Sequence, residues 1–180
     1  TIADAIYSIA ESFDRAYDSE KARIETALAV TSRPVLETFK GYRLTDDGQL
    51  EVYVDYWHFD EDHIGSYASP ASFDMPWELK AAMDDLVFEQ RRAAYSDTAA
   101  GRFSVPWISL VLRQDAGLVD RTLRQLGRDE FVPPALADFG GQALVSPEEA
   151  AARYEASQEW FDEKEHLVIS QGPFYLEQFV

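Results

Sequence analysis

The chain has 180 residues, 46 % of them hydrophobic and 13 % aromatic, with 33 acidic side chains against 16 basic ones and no cysteine. So apolar a chain is not disordered, and without cysteine it has no disulfide scaffold, thiolate metal site or cysteine nucleophile. The net charge of −17 makes nucleic acid an unfavourable partner, because phosphates would be repelled. No stretch approaches the roughly 18 consecutive apolar residues that a membrane helix needs.

In chain order, Ile2, Ile6, Ile9, Phe13 and Tyr17 recur at helical spacing, which predicts an amphipathic helix. Thr1 is its N-cap, and Asp4 is placed three residues on, near the positive helix end. A second helix is predicted over "DSEKARIETALAV", with Ile24, Ala27 and Leu28 inward. Pro34 then breaks it or opens a short third helix. "GYRLTDDGQLEVYVDYW" reads as a hairpin: Leu50, Val52, Val54 and Tyr56 alternate with Glu51, Tyr53, Asp55 and Trp57, and Asp46-Asp47-Gly48-Gln49 has turn chemistry.

The segment from His58 to Met75 is polar and irregular. Pro76 opens a helix with Leu79, Met83, Leu86 and Val87 as its apolar stripe. "YSDTAAGRFSVPW" reads as a loop and "ISLVL" as a short strand. "AGLVDRTLRQLG" is a helix with Leu118, Thr122, Leu123 and Leu126 on one side, stopped by Gly127. Pro133-Pro134 and Gly140-Gly141 keep the next segment irregular. Ser146, Pro147 and Glu149 give the clearest helix start in the chain. Ala150, Tyr154, Ser157 and Phe161 share that helix's inward face. Two apolar runs follow, "HLVIS" and "PFYLEQFV", each read as a strand. The whole is an α/β chain of mixed α+β type, with several helices, one hairpin and a short mixed sheet that includes the terminal runs. No domain boundary is visible within residues 1–180.

The densest set of metal-ligating side chains is "WHFDEDH", with His58, Asp60, Glu61, Asp62 and His63. Imidazole and carboxylate suit zinc, but the two histidines are five apart in a predicted loop, not one turn apart on a helix. A solvated acidic loop accounts for the segment better, so no metal and no cofactor are expected. There is no G-x-S-x-G element, no glycine-rich phosphate loop, and too many carboxylates for any catalytic pair to stand out. Aromatic walls are common in ligand clefts. Trp57, on the polar face of its strand, and Trp107, in a loop, are the two ligand-binding candidates. Most other aromatic residues are accounted for by core packing.

Three segments carry a resemblance. "TIADAIYSIAESFDRAYD", "FKGYRLTDDGQLEVYVDYW" and "EEAAARYEASQEWFDEKEHLVISQGPFYL" resemble, in order, stretches of the family 5 extracellular solute-binding proteins, the peptide, nickel and oligopeptide receptors of ABC importers. They cover roughly half of the chain. The last segment contains Gln171-Gly172-Pro173-Phe174-Tyr175-Leu176, which is similar to the family's recurrent N/Q-G-P-F/Y-Y-L motif. The resemblance implies a portion of the first lobe of a periplasmic-binding-protein-like class II receptor, cut from a longer chain at both ends. Gly172 and Pro173 would fix a turn, and Phe174 and Leu176 would point into a core. No binding residue of the family transfers by motif match.

The function implied is solute capture without catalysis, outside the cytoplasmic membrane, in the periplasm or on a lipid anchor. The partners implied are a peptide or similar solute and the ABC permease subunits. One lobe holds at most one wall of a two-walled cleft, so no measurable peptide binding by this piece alone is expected, and any weak contact would involve Trp57 or Trp107. A severed sheet would also leave edges for edge-to-edge self-association. Two rivals are a metal-assisted or carboxylate hydrolase built on the His58–His63 loop, and an acidic domain that binds a basic protein.

Overall fold

The computed structural model describes residues 1–68, 75–169 and 174–179. It is a mixed α+β structure: among the described residues there are nine α-helices and one two-stranded antiparallel sheet. No helix among them is long and apolar enough to cross a membrane. Where the sequence shows no internal boundary, backbone contacts gather the chain into two compact units, Thr1–Ser72 and Phe73–Val180.

The first unit opens with α1 (Ile2–Tyr17). Thr1 caps it as predicted: its hydroxyl accepts the Asp4 N–H, and the Asp4 carboxylate reaches back to the capping residue. Ile6 and Ile9 are buried, Ile2 and Phe13 half-buried, and Tyr17 exposed. The predicted second helix is two helices, α2 (Ser19–Ile24) and α3 (Thr26–Leu36), broken at the fully buried Glu25, whose φ of −110° and ψ of 61° leave the helical region. Pro34 does not end α3, which continues to Leu36. Ile24 is buried as predicted, but Ala27 is exposed and Leu28 half-buried; Ala29 and Leu36 are the buried residues of α3. The break at Glu25 resets the helical phase, which is why the predicted inward face misses. Arg33 fastens α3 to the end of α1, donating to the Ala16 carbonyl through Nε (3.0 Å) and Nη2 (2.7 Å).

The hairpin stands where the alternation places it, as β1 (Phe39–Leu44) and β2 (Leu50–Val54), paired Tyr42 to Val52 and Leu44 to Leu50. Gly48 closes the turn with φ of 79°, in the region glycine adopts without strain. Thr45 and Gln49 complete it: the Thr45 N–H donates to the Gln49 carbonyl and the Gln49 N–H to the Thr45 hydroxyl. From Val52 to Trp57 the side chains alternate between half-buried and exposed, as read from the sequence. Phe13 meets Phe39 with ring centres 5.1 Å apart, packing the hairpin on α1. Helix α4 (Glu61–Ala68) ends the unit's described part.

The second unit is helical. Pro76 precedes α5 (Trp77–Asp84), which is prolonged by a π-helical turn, Asp85–Glu89. Leu79, Met83, Leu86 and Val87 are all buried, as their stripe predicts. The expected loop near residue 97 contains α6 (Asp97–Phe103), capped by the Ser96 hydroxyl. The expected strand "ISLVL" is irregular; its neighbour Trp107 instead forms an isolated parallel bridge with Ala94. Helix α7 runs from Arg113 to Arg128, longer at both ends than predicted, and α8 (Pro134–Ala137) is one turn inside the segment expected to be irregular. Helix α9 (Pro147–Lys164) starts on the Ser146 cap with Pro147 in its first turn, as predicted.

Helices α5, α7 and α9 pack on one another. Trp77 and Tyr154, both fully buried, meet edge to face with ring centres 5.5 Å apart.

The terminal runs correct the predicted mixed sheet. Residues 167–169 and 174–179 form no strand, so the sheet among the described residues is the hairpin alone. Phe174 is 84 % exposed and Leu176 half-buried, so Phe174 is not in a core. The tail is held by polar contacts: buried His166 bonds through Nε2 to the Leu176 carbonyl (2.9 Å), and Lys164 bonds Glu177 (3.0 Å). Gly172 and Pro173 lie outside the described residues.

Candidate functional site

The two tryptophan candidates belong to different units. In the first, Trp57 follows β2 and is 79 % exposed. Beside it in sequence, the His58 ring stacks on Phe59 (4.3 Å between centres) and meets His63 edge-on (4.4 Å). The three rings form a small aromatic cluster. His58 Nδ1 accepts the Asp60 N–H (3.1 Å), and Asp60 Oδ1 accepts the Asp62 N–H (3.2 Å) as α4 begins. Among the described residues no three His, Asp or Glu side chains converge on one point.

In the second unit Trp107 is 63 % exposed, and its indole N–H donates to the Tyr95 carbonyl (2.8 Å). Trp77 is in the core. The neighbour of Trp107, Pro106, lines a cleft of about 620 Å³ between the outer face of α7 and Phe161 of α9. That volume is in the range of small-molecule sites, about 300–1,000 Å³.

Helix α7 supplies most of the cleft. Arg113, Gly117, Asp120 and Arg121 follow one another at i, i+4, i+7 and i+8, so they share a face. Gly117 leaves the middle of that face without a side chain; a Cβ there would stand 3.6 Å from the Phe161 ring. Arg113, Gln114 and Arg121 are exposed at the rim, while Asp120 is 6 % exposed.

The Asp120 carboxylate is half satisfied. Arg124 donates through Nε to Oδ2 (2.8 Å), while Oδ1, inaccessible to solvent, accepts no hydrogen bond. The same contact pushes the Arg124 guanidinium above its ordinary pKa, and Arg124 also bonds Asp162 (2.7 Å). At the other end, Leu112 caps α7 without a side-chain hydrogen bond, and Asp115 in the first turn places a negative charge near the positive end of the helix dipole. A smaller cleft of about 330 Å³ lies further along α7 and α9. Its two arginines are engaged, Arg124 as described and Arg128 by Gln125 (2.6 Å).

Sequence reading names Trp107 as a ligand candidate in a loop; the structure puts its neighbour Pro106, not Trp107, on the cleft, and the reading misses α7. It takes that helix for its apolar face and counts Leu118 inward. Leu118 instead lines the cleft and is half-buried, while Ala116, Val119, Leu123 and Leu126 form the buried face. The available signal was the recurrence Arg113, Gly117, Asp120 and Arg121, opposite charges on either side of a glycine.

Comparison with protein-family models and with curated proteins finds no match.

Proposed function

We propose that this chain is part of the solute-capture component of an ABC importer for peptides or similar solutes. In this reading it acts outside the cytoplasmic membrane, delivers its ligand to permease subunits and performs no catalysis. The observation that carries the reading is the ordered set of three family-like segments. It is supported by how two of them fold: the first is a helix capped by Thr1 and Asp4, and the second is a hairpin turning at Gly48. The middle of the third is the Ser146-capped helix α9. A receptor of this kind needs a concave surface with aromatic and charged groups, and the second unit has a cleft lined by Phe161, Arg113 and Arg121.

The test is transport. Disrupting the gene in its host should abolish uptake of labelled oligopeptides, and an intact copy should restore it. Unchanged uptake of every peptide length tried would remove the reading.

A further inference from the structure

We propose that the outer face of the hairpin, centred on Trp57 and Phe59, is a docking surface for an arginine-rich segment of another protein. The inference is independent of the solute-capture reading: it concerns a protein partner on the first unit, not a solute in the second.

The face follows from the strand period. Tyr53, Asp55, Trp57 and Phe59 stand at every second residue, and all four are exposed. Trp57 is 79 % and Phe59 83 % exposed, so two large apolar rings close in sequence stand in water, as at interaction sites. The His58 ring orders this end of the face. It stacks on Tyr56 and Phe59 (6.4 and 4.3 Å between centres), and its Nδ1 accepts the Asp60 N–H. On β1, Gly41 stands opposite Tyr53, and a Cβ there would meet nothing within 4 Å, so the face is open on that side.

The charge of the face follows from the sequence. From Leu44 to Ala68 there are seven acidic residues and no lysine or arginine. Asp60, Glu61 and Asp62 come directly after Phe59 and are exposed. Among the described residues the ion-pair partner of this run is His63, 4.0 Å from Asp60. Asp55 and Glu51 are met from β1 by Lys40 (3.4 Å) and Arg43 (2.9 Å), with all four side chains well exposed. Such pairs exchange for a better-fitting cation at little cost.

Rings and carboxylates together select the occupant. An apolar partner would bury Asp60, Glu61 and Asp62 without compensation, which is costly. A second copy would bring the same acids, in a chain of net charge −17, and like charges across an interface repel. A guanidinium satisfies both features: its plane stacks on an indole or phenyl face, and its fork of N–H groups matches a carboxylate. Lysine brings a point charge without the fork, so arginine is the preferred side chain. An extended segment repeats its side chains on one face every roughly 6–7 Å, the repeat of Tyr53, Asp55 and Trp57.

The experiment is a titration of the ¹⁵N-labelled chain with hexaarginine, hexalysine and hexaserine, each acetylated and amidated, at about 0.01 M salt. Hexaarginine should shift the amides of residues 53–63 and the Trp57 indole N–H, and should bind more tightly than hexalysine. Its affinity should fall at about 0.15 M salt, where the Debye length is about 8 Å. Hexaserine should not bind. A chain of net charge −17 attracts any polycation, so variants supply the specific readout. Trp57→Ser combined with Phe59→Ser leaves the charge unchanged and should weaken hexaarginine at least about tenfold, the loss expected for two ring–cation contacts. Glu61→Gln with Asp62→Asn should also weaken it. Glu155→Gln with Glu159→Gln, the same charge change on α9, should leave it unaffected. All these positions are exposed, so each variant should keep its fold. Shifts spread over the whole acidic surface, an equal loss from the α9 variant, unchanged binding by the ring variant, or no binding would overturn the proposal. Concentration-dependent shifts of the same amides without peptide would assign the face to a second copy and overturn it as well.

Discussion

Arg153 holds Glu78 across 75 residues of sequence, with Nε and Nη2 both 2.8 Å from Glu78 Oε2. The other carboxylate oxygen accepts the Ser157 hydroxyl (3.1 Å), and the Arg153 guanidinium also lies over the Trp77 ring. Glu78 is 4 % exposed, and the contact joins α5 to α9 inside the second unit. Removing one partner of a buried pair leaves the other charge unpaired, at about 3–5 kcal/mol. Arg153→Ala should therefore destabilise this unit by about that much. Glu78→Gln should cost about 1–2 kcal/mol, because it leaves hydrogen bonds in place and Arg153 can turn toward solvent. Urea unfolding followed by tryptophan fluorescence ranks the two; equal costs would mean that the pair is replaceable from either side.

The same carboxylate gives a pH dependence. Burial pushes the Glu78 carboxyl above its ordinary 4.5, and Arg153 draws it only part of the way back. An acid whose folded pKa is raised binds its proton more tightly when folded, so stability from this group is complete below 4.5 and is lost as pH rises through the higher folded value. Wild type should thus gain stability relative to Glu78→Gln as pH falls from 7 to 4.5. Measuring both proteins at the two pH values checks the sign, and a gap that moves the other way would show that Arg153 outweighs burial.

Two glycines of α7 should respond oppositely to alanine. At Gly127 a Cβ would stand 3.0 Å from Tyr154 Cβ and 3.2 Å from Gln158 Nε2, since α7 and α9 approach closely there. At Gly117 it would meet the Phe161 ring at 3.6 Å and Arg121 Nη1 at 3.9 Å, both ordinary contacts. Alanine in a helix gains about 1 kcal/mol over glycine, and overpacking costs about 1–3 kcal/mol. Gly117→Ala should stabilise by up to about 1 kcal/mol, and Gly127→Ala should be neutral to destabilising by about 2 kcal/mol. Thermal melts of both variants decide it.

Much of the fold was legible because local chemistry and tertiary packing agree. Thr1, Ser146 and the Asp47-Gly48 turn announce the element ends, the α5 stripe is core in the structure, and Ile6 and Ile9 of the α1 stripe are core while Tyr17 is exposed. The failures share a cause: tertiary context decided against local pattern. "FYLEQFV" has strand composition, but no second strand pairs with it among the described residues, and it is held by His166 and Lys164 instead. A continuous helical pattern is broken at Glu25, whose backbone leaves the helical region where its side chain is buried. The cleft was invisible for a different reason. Its charged residues look like the solvated face of α7, and only the position of Phe161 turns that face into a concavity.

The His58–His63 segment should not bind zinc tightly. A tight site needs three or four ligands held by a second shell. Here Asp60 is engaged with backbone N–H and stands 4.0 Å from His63 Nε2. Calorimetry at neutral pH should show no submicromolar stoichiometric event. A tight site lost in both His58→Ala and His63→Ala would return the hydrolase reading to the front.

Stability should rise with salt, and two opposing terms set the sign. Added salt weakens surface ion pairs such as Lys40–Asp55 and Arg43–Glu51, in which both partners are well exposed. Exposed pairs contribute only about 0–1 kcal/mol each, and screening removes part of that. The same screening weakens repulsion among 33 acidic side chains that face only 16 basic ones. With two acids for each base, most like-charge contacts have no compensating cation, so relief of repulsion exceeds the loss of pairs. The Debye length falls from about 10 Å at 0.1 M to about 3 Å at 1 M, below the spacing of most neighbouring carboxylates. If about 2 kcal/mol of repulsion is screened, Tm rises by about 4–8 °C for a chain of this size. Melting curves in potassium chloride from about 0.05 to 1 M test this. A fall in Tm would mean that specific pairs, such as Arg124 between Asp120 and Asp162, outweigh the net charge.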